Sequence, residues 1–327
     1  MLRGIRFSAA IVLACAVLTC SLPADAAEKD ANYPVRPITV IVPYAAGGGT
    51  DINARLVASY MEKKLGQPVA IVNKTGGGGA IGTRQIALSD PDGYTAGVLS
   101  YPDAPVITAL RGKEAGYANE DFVVVGTFTS SPNVLAIRKD GPYKNFEEFV
   151  AYAKKNPGKV SVSIPSESHK LGVLELEEAL KIDVNPIMFK SGNEAMNNLL
   201  GGHVMATFCA VQFALPVHGR DVVVIASAGE KRIPKLQDVP TLKEMGINVV
   251  NTVSRIFCFP KGVPEPIRKK WAAVMLELSK DRELAEKVNG TGEVYDAKVG
   301  EELEKYYKAT NEAIGNAVQK NKQAFLQ

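Results

Sequence analysis

An α/β architecture with largely parallel sheets is what this sequence predicts, on three observations. Apolar strand-like runs alternate with helix-like runs from Ile38 to the C-terminal end. Two glycine turns, PYAAGGGTD at 43–51 and NKTGGGGAIG at 73–82, each lie between a strand and a helix. The 327 residues are 46% hydrophobic and 22% charged, a globular balance with room for about two domains and a sizeable core.

The first element is a leader. Arg3 and Arg6 precede an uncharged, mostly apolar stretch from Phe7 to Ala24, and Ala24-Asp25-Ala26 offers a small-x-small cleavage site. This predicts a signal peptide over 1–26, cleaved after Ala26, and hence an exported protein. Ser8, Thr19, Ser21 and Pro23 interrupt the run, which argues against an uncleaved anchor. Thr19 before Cys20 argues against lipidation. Without the leader the chain loses two arginines and one aspartate, leaving 36 basic and 34 acidic residues. So even a charge balance gives no basic field for nucleic acid. Cys209 and Cys258 then remain. An oxidising compartment permits them to pair, while their apolar strands suit buried free thiols.

Strands are expected at Ile38–Tyr44, Val69–Val72, Tyr94–Ser100, Phe122–Phe128, Val134–Arg138, Lys159–Ile164, Val184–Phe189, Val204–Ala210, Val222–Ala228 and Ser254–Phe259. Between the first two, Leu56, Tyr60, Met61 and Leu65 share one helical face, with Thr50 or Asp51 as N-cap. Asn145–Lys155 is a second amphipathic helix, closed by Asn156-Pro157-Gly158. The tail from Val299 to about Gln323 is a long charged helix. Ser130-Ser131-Pro132 breaks a β run and marks a crossing between domains, with the return near Asn251–Phe259.

Ligands of open α/β sheets sit beyond the carboxyl ends of strands, where both glycine turns lie. Glycine admits close backbone approach, and a helix start offers unpaired N–H groups and partial positive charge. Each turn is therefore an anion seat. A third candidate is IPSESHKLG at 164–172, where Ser166 and Ser168 can cap a helix and donate hydroxyl hydrogen bonds, with His169 in its first turn. An ordinary N-cap beside a surface histidine is the competing reading.

Catalytic signatures are missing. His169, His203 and His218 are scattered without metal-ligand spacing, and the chain has no C-x-x-C, H-E-x-x-H, G-x-S-x-G or Walker A sequence. No metal or cofactor is expected. Gly77, Gly79 and Gly82 do spell G-x-G-x-x-G, with Asp103 21 residues further on. That acid sits in the turn Tyr101-Pro102-Asp103 rather than at a strand end, and four consecutive glycines generate the pattern easily.

Residues 33–82, YPVRPITVIVPYAAGGGTDINARLVASYMEKKLGQPVAIVNKTGGGGAIG, resemble the opening of the tripartite tricarboxylate transporter substrate-binding proteins, also called the Bug receptors. PDGYT at 91–95, SPNVLAIRKD at 131–140, SESHKLG at 166–172, FKSGNEAMNNLLGGHV at 189–204, LQDVPTLKEMG at 236–246 and FPKGVPEPI at 259–267 resemble its later signatures in order. The resemblance implies a two-lobed periplasmic binding fold of type II-like architecture: each lobe a mostly parallel sheet flanked by helices, joined by crossing hinge strands. The lobes would be 27–130 with 253–327, and 131–252. It implies a periplasmic, non-enzymatic monomer that captures a small organic carboxylate between the lobes and delivers it to membrane transporter subunits.

Carried onto this chain, the family's ligand contacts fall on Tyr44, Ala45, Ala46, Gly47, Gly48, Asp51, Gly77, Gly78, Gly79 and Ala80. Ser166, Ser168 and His169 would close from the other lobe, and the loops at Ser100–Tyr101 and Ser131 would line the cleft. The chain departs from the family pattern at Met205 and Cys209, where aspartate is common, and at Arg255, where many members have tryptophan. Cys209 facing the cleft would make it less acidic. Arg255 would either pair with a second ligand carboxylate or lie on the surface near the hinge. Two other functions remain open: an exported enzyme acting on a carboxylate or phosphate, and a sensor presenting its ligand to a membrane kinase.

Overall fold

The computed structural model describes residues 32–326, so the leader over 1–26 lies outside the described residues. Residues from Pro34 onward form one compact unit. Its strands are β1 (Ile38–Val42), β2 (Val69–Asn73), β3 (Thr95–Tyr101), β4 (Phe122–Arg138), β5 (Ser161–Ile164), β6 (Asn185–Met188), β7 (Ala206–Ala210), β8 (Val222–Ser227), β9 (Thr252–Pro260) and β10 (Val294–Tyr295). The helices the site uses are α1 (Gly49–Leu65), α2 (Ala80–Ala87), α3 (Asp103–Arg111), α4 (Phe146–Lys155), α5 (Glu167–Leu180) and α6 (Gly192–Leu200).

The sheet path is β2-β1-β3-β9-β4-β7-β5-β6, with β8 and β10 also paired to β4. Parallel pairs β1–β2 and β1–β3 build one lobe, and β5–β6 and β5–β7 the other. Antiparallel β4 and β9 join them. Each lobe thus carries a parallel α/β unit outward of shared hinge strands.

Two expected strands, Phe122–Phe128 and Val134–Arg138, are one 17-residue strand. Pro132 lacks an N–H and ordinarily interrupts a ladder. Here it stands where β4 changes partners: Pro132 still faces Thr252 of β9, and Asn133 already faces Ala210 of β7. Asn133 and Asn251 clasp the crossing, the backbone N–H of Asn133 donating to the Asn251 carbonyl at 3.0 Å.

Helix α1 begins at Gly49, ahead of the expected cap, because Gly48 is the N-cap. Asn145 caps α4 as its sequence requires, accepting from the Glu148 N–H at 2.8 Å. The hinge strands pack on one aromatic group in which Trp271 meets Phe259 at 4.8 Å and Phe257 at 5.8 Å between ring centroids. The second lobe has its own core around Phe149, Val162 and Phe208. Cys209 and Cys258 are buried free thiols. Among the described residues no helix is long and apolar enough to cross a membrane.

Candidate ligand-binding cleft

The carboxyl ends of β1, β3, β5, β6 and β7 converge on a cleft of about 1010 Å³ between the lobes. Its floor is the start of α1. Asp51 organises the turn before it: its carboxylate accepts from the Gly47 N–H at 2.9 Å, from Asn73 Nδ2 at 2.9 Å and from Arg55 Nε at 3.1 Å. Asn73 Nδ2 also donates to the Tyr44 carbonyl at 2.9 Å, tying β2 to the turn. Gly48 gives α1 no side-chain cap, so the first N–H groups of the helix face the cleft without one.

Arg255 lies beside that helix start. It is 2% exposed, and β9 places it opposite Thr129 of β4. Its Nε donates to Thr50 Oγ1 at 3.1 Å, and its Nη1 to Thr129 Oγ1 at 3.1 Å and Glu293 Oε2 at 2.6 Å. β10 pairs with β4 at Ser130 and Thr129, which brings Glu293 under the guanidinium. Nη2 turns the other way, 3.0 Å from where a Cβ on Gly49 would stand. Gln212, just beyond β7, approaches the same glycine from the second lobe. Its Oε1 accepts from Ser131 Oγ at 2.6 Å, leaving the Nε2 amide toward Gly49, 2.2 Å from the same Cβ position. Arg255 Nη2, from a hinge strand, and Gln212 Nε2, from the second lobe, thus meet beside Gly49 at the start of α1.

The second glycine turn is the cleft's other wall. Gly79 has φ +101°, and its Cβ position falls 2.9 Å from the Tyr44 hydroxyl, so the turn rests on the Tyr44 ring as only glycine permits. Opposite it, Asp103 at the start of α3 bridges the lobes. Ser100 Oγ and the Tyr44 hydroxyl both donate to its Oδ2, at 2.8 and 3.4 Å. From the second lobe, Ser166 Oγ and Ser168 Oγ donate to its Oδ1 at 2.7 and 2.5 Å.

His169 Nδ1 stands 2.6 Å from Ser166 Oγ, and its Nε2 is buried without a partner among the described residues. Burial lowers its pKa from 6.5 to about 4, against the opposing pull of Asp103. The imidazole is therefore neutral at pH 7. Because the unfolded chain binds this proton at higher pH than the fold does, stability is complete above pH 6.5 and falls as pH drops toward 4. The loss is about 3 kcal/mol. Denaturant titrations across that window should show a shallower acid-side decline in His169→Asn than in the unsubstituted protein.

Ten expected site residues line the cleft: Tyr44, Ala45, Gly48, Gly77, Gly78, Gly79, Ser100, Ser166, His169 and Arg255. The other eight do not. Ala46 and Gly47 are exposed in the first turn, and the Asp51 carboxylate supports that turn by accepting from the Gly47 N–H. Ala80 packs into the first-lobe core, as does Tyr101, whose hydroxyl donates to the Tyr307 carbonyl and Asn311 Oδ1, both at 2.7 Å. Ser131 and Ser168 are fully buried, each holding a residue that does line the cleft. Cys209 packs among Val134, Met196 and Val224 on the face of β7 turned from the cleft, and burial pushes its thiol up to about 12.

Asp103, Gln212 and Glu293 escaped the sequence reading. Asp103 stood out only as the acid after a glycine pattern, and nothing adjacent to Gln212 or Glu293 in sequence marks them. Among the described residues, no three His, Cys, Asp or Glu side chains gather as a metal site would require.

Two α/β lobes joined by paired hinge strands around such a cleft define a periplasmic binding protein. The chain superposes on a solved periplasmic transporter with a TM-score of 0.81 at 32% identity, covering 88% of this chain and 98% of the other. The periplasmic binding protein BugD gives 0.77 at 31%, covering 88% and 98%. Residues 53–321 match the family described as the tripartite tricarboxylate transporter family receptor, and the chain belongs to that family. A Cupriavidus necator protein described as the UPF0065 protein in the gbd 5' region is 34% identical over 81% of each chain. MatC from Rhodopseudomonas palustris, solved with bound malate, has a TM-score of 0.76 at 29% identity over 88% of this chain and 100% of its own.

Proposed function

We propose that this chain is an exported receptor that captures a small organic carboxylate at the start of α1 and hands it to membrane subunits of a tripartite tricarboxylate transporter. In this reading residues 27–130 with 253–327 form the first lobe and 131–252 the second. The observation that carries it is the meeting of Arg255 Nη2 and Gln212 Nε2 at Gly49, where α1 begins without a side-chain cap. A carboxylate offers each of these donors an acceptor, and the charge-assisted bonds are about twice as strong as neutral ones. Because Gln212 belongs to the second lobe and Arg255 to a hinge strand, a ligand engaging both favours the closed arrangement. The malate held by MatC is consistent in chemistry.

A thermal-shift screen of organic acids tests this. An acid at a hundredfold excess over its dissociation constant stabilises by about 2.7 kcal/mol, roughly 5 °C in Tm. Sugars and cationic amino acids should give no shift, and the bound acid should be recovered unchanged. Stabilisation by sugars or cationic amino acids alone, or conversion of the acid, would contradict the proposal.

A further inference from the structure

We infer that Asp103 sets the specificity of the cleft for acids that carry negative charge at one end only and an apolar body beyond it. The inference rests on the carboxylate-receptor reading above and narrows its ligand class.

The start of α5, with Ser166 and Ser168, is the anion seat that the second lobe offers. The protein's own Asp103 carboxylate already takes its two serine hydroxyls. Asp103 is 4% exposed and takes hydroxyl donors from Ser100, Ser166, Ser168 and Tyr44. A carboxylate has about four acceptor sites, so the four hydroxyls and the acid satisfy one another. A second ligand carboxylate reaching this wall would find its four hydroxyls engaged and a buried like charge beside them.

The rest of the wall suits a different ligand end. Phe189 and Phe213 are half-buried along the cleft, Ile107 lies under it, and Met188 is 43% exposed at its edge. The space, about 1010 Å³, is ample for an acid with a ring or a chain of several carbons. Arg111 and Lys190 line it beside Glu167 and Glu194, so the charges at the mouth cancel.

Calorimetric titration of the mature protein with matched pairs tests the inference: hexanoate against adipate, and benzoate against benzene-1,4-dicarboxylate. The monoacid of the better-binding pair should bind at least tenfold tighter than its diacid. In Asp103→Asn, which keeps the shape and removes the charge, that ratio should fall below threefold. A diacid that binds as tightly as its monoacid to the unsubstituted protein overturns the inference, whether or not the variant folds. So does an unchanged ratio in a folded Asp103→Asn. Tight diacid binding leaves the carboxylate-receptor reading standing. Binding of none of these four acids removes this inference, and only the absence of a shift with every acid of the thermal screen removes the carboxylate-receptor reading with it.

Discussion

Arg255→Met should lower stability by about 3–5 kcal/mol and weaken carboxylate binding at once, whereas Arg255→Met combined with Glu293→Gln should recover most of the stability and none of the binding. The two effects have different sources. Glu293 is 0% exposed, and Arg255 Nη1 is the cation that compensates it. Burial raises the Glu293 carboxyl, and Arg255 is what opposes that rise. With methionine at 255 the carboxylate is left buried with a single partner charge removed, which is the expensive half of breaking a buried pair. Glutamine at 293 takes away that charge. Binding depends instead on Nη2, which faces the cleft. Loss of one charge-assisted hydrogen bond is about 1.5–3 kcal/mol, roughly 10- to 150-fold in affinity. Chemical denaturation and calorimetry on the single and double variants separate the two. Recovered binding in the double variant would mean that Arg255 serves the fold alone.

Gly49→Ala should move stability and binding in opposite directions. Gly49 sits in the first turn of α1, where alanine is the better helix former, a gain of up to about 1 kcal/mol. The added Cβ, however, falls 2.2 Å from Gln212 Nε2 and 3.0 Å from Arg255 Nη2. Gln212 then has to swing off the hinge serine that orients it, and the point where the two lobes meet on the ligand opens. Overpacking of this kind costs the closed arrangement about 1–3 kcal/mol, and because the lobes relieve it by opening, the cost falls on affinity, roughly 5- to 150-fold, rather than on the fold. An unchanged or raised Tm with weakened acid binding is the expected pair of results. Unimpaired binding would place the carboxylate elsewhere in the cleft.

The elements were legible in the sequence because each is marked locally. The glycine turns, the Asn145 cap and the alternation of apolar runs are short-range signals, and apart from the merged β4 and the unexpected β10 the strands fall where those signals put them. Pro132 misled for the same reason: read locally, proline ends a strand, whereas here the exchange of sheet partners absorbs the missing N–H. The cleft was only partly legible. Arg255 stood out by its residue type, but its confinement by Glu293 depends on a two-residue strand that brings 293 to 255. Cys209 follows the period-two rule of its strand: Ala210, its neighbour, lines the cleft, and Cys209 points into the core. Asp103 and Gln212 act across the lobes, and no sequence spacing encodes a contact made by closure.

Native mass spectrometry of the protein, purified from an exporting host without denaturation, reads the occupant of the cleft. One small organic acid should be bound per chain, released intact on acidification and absent from Arg255→Met/Glu293→Gln. A sugar, an organic cation or a phosphate ester in its place, or the same acid retained by that double variant, would contradict the carboxylate-receptor reading.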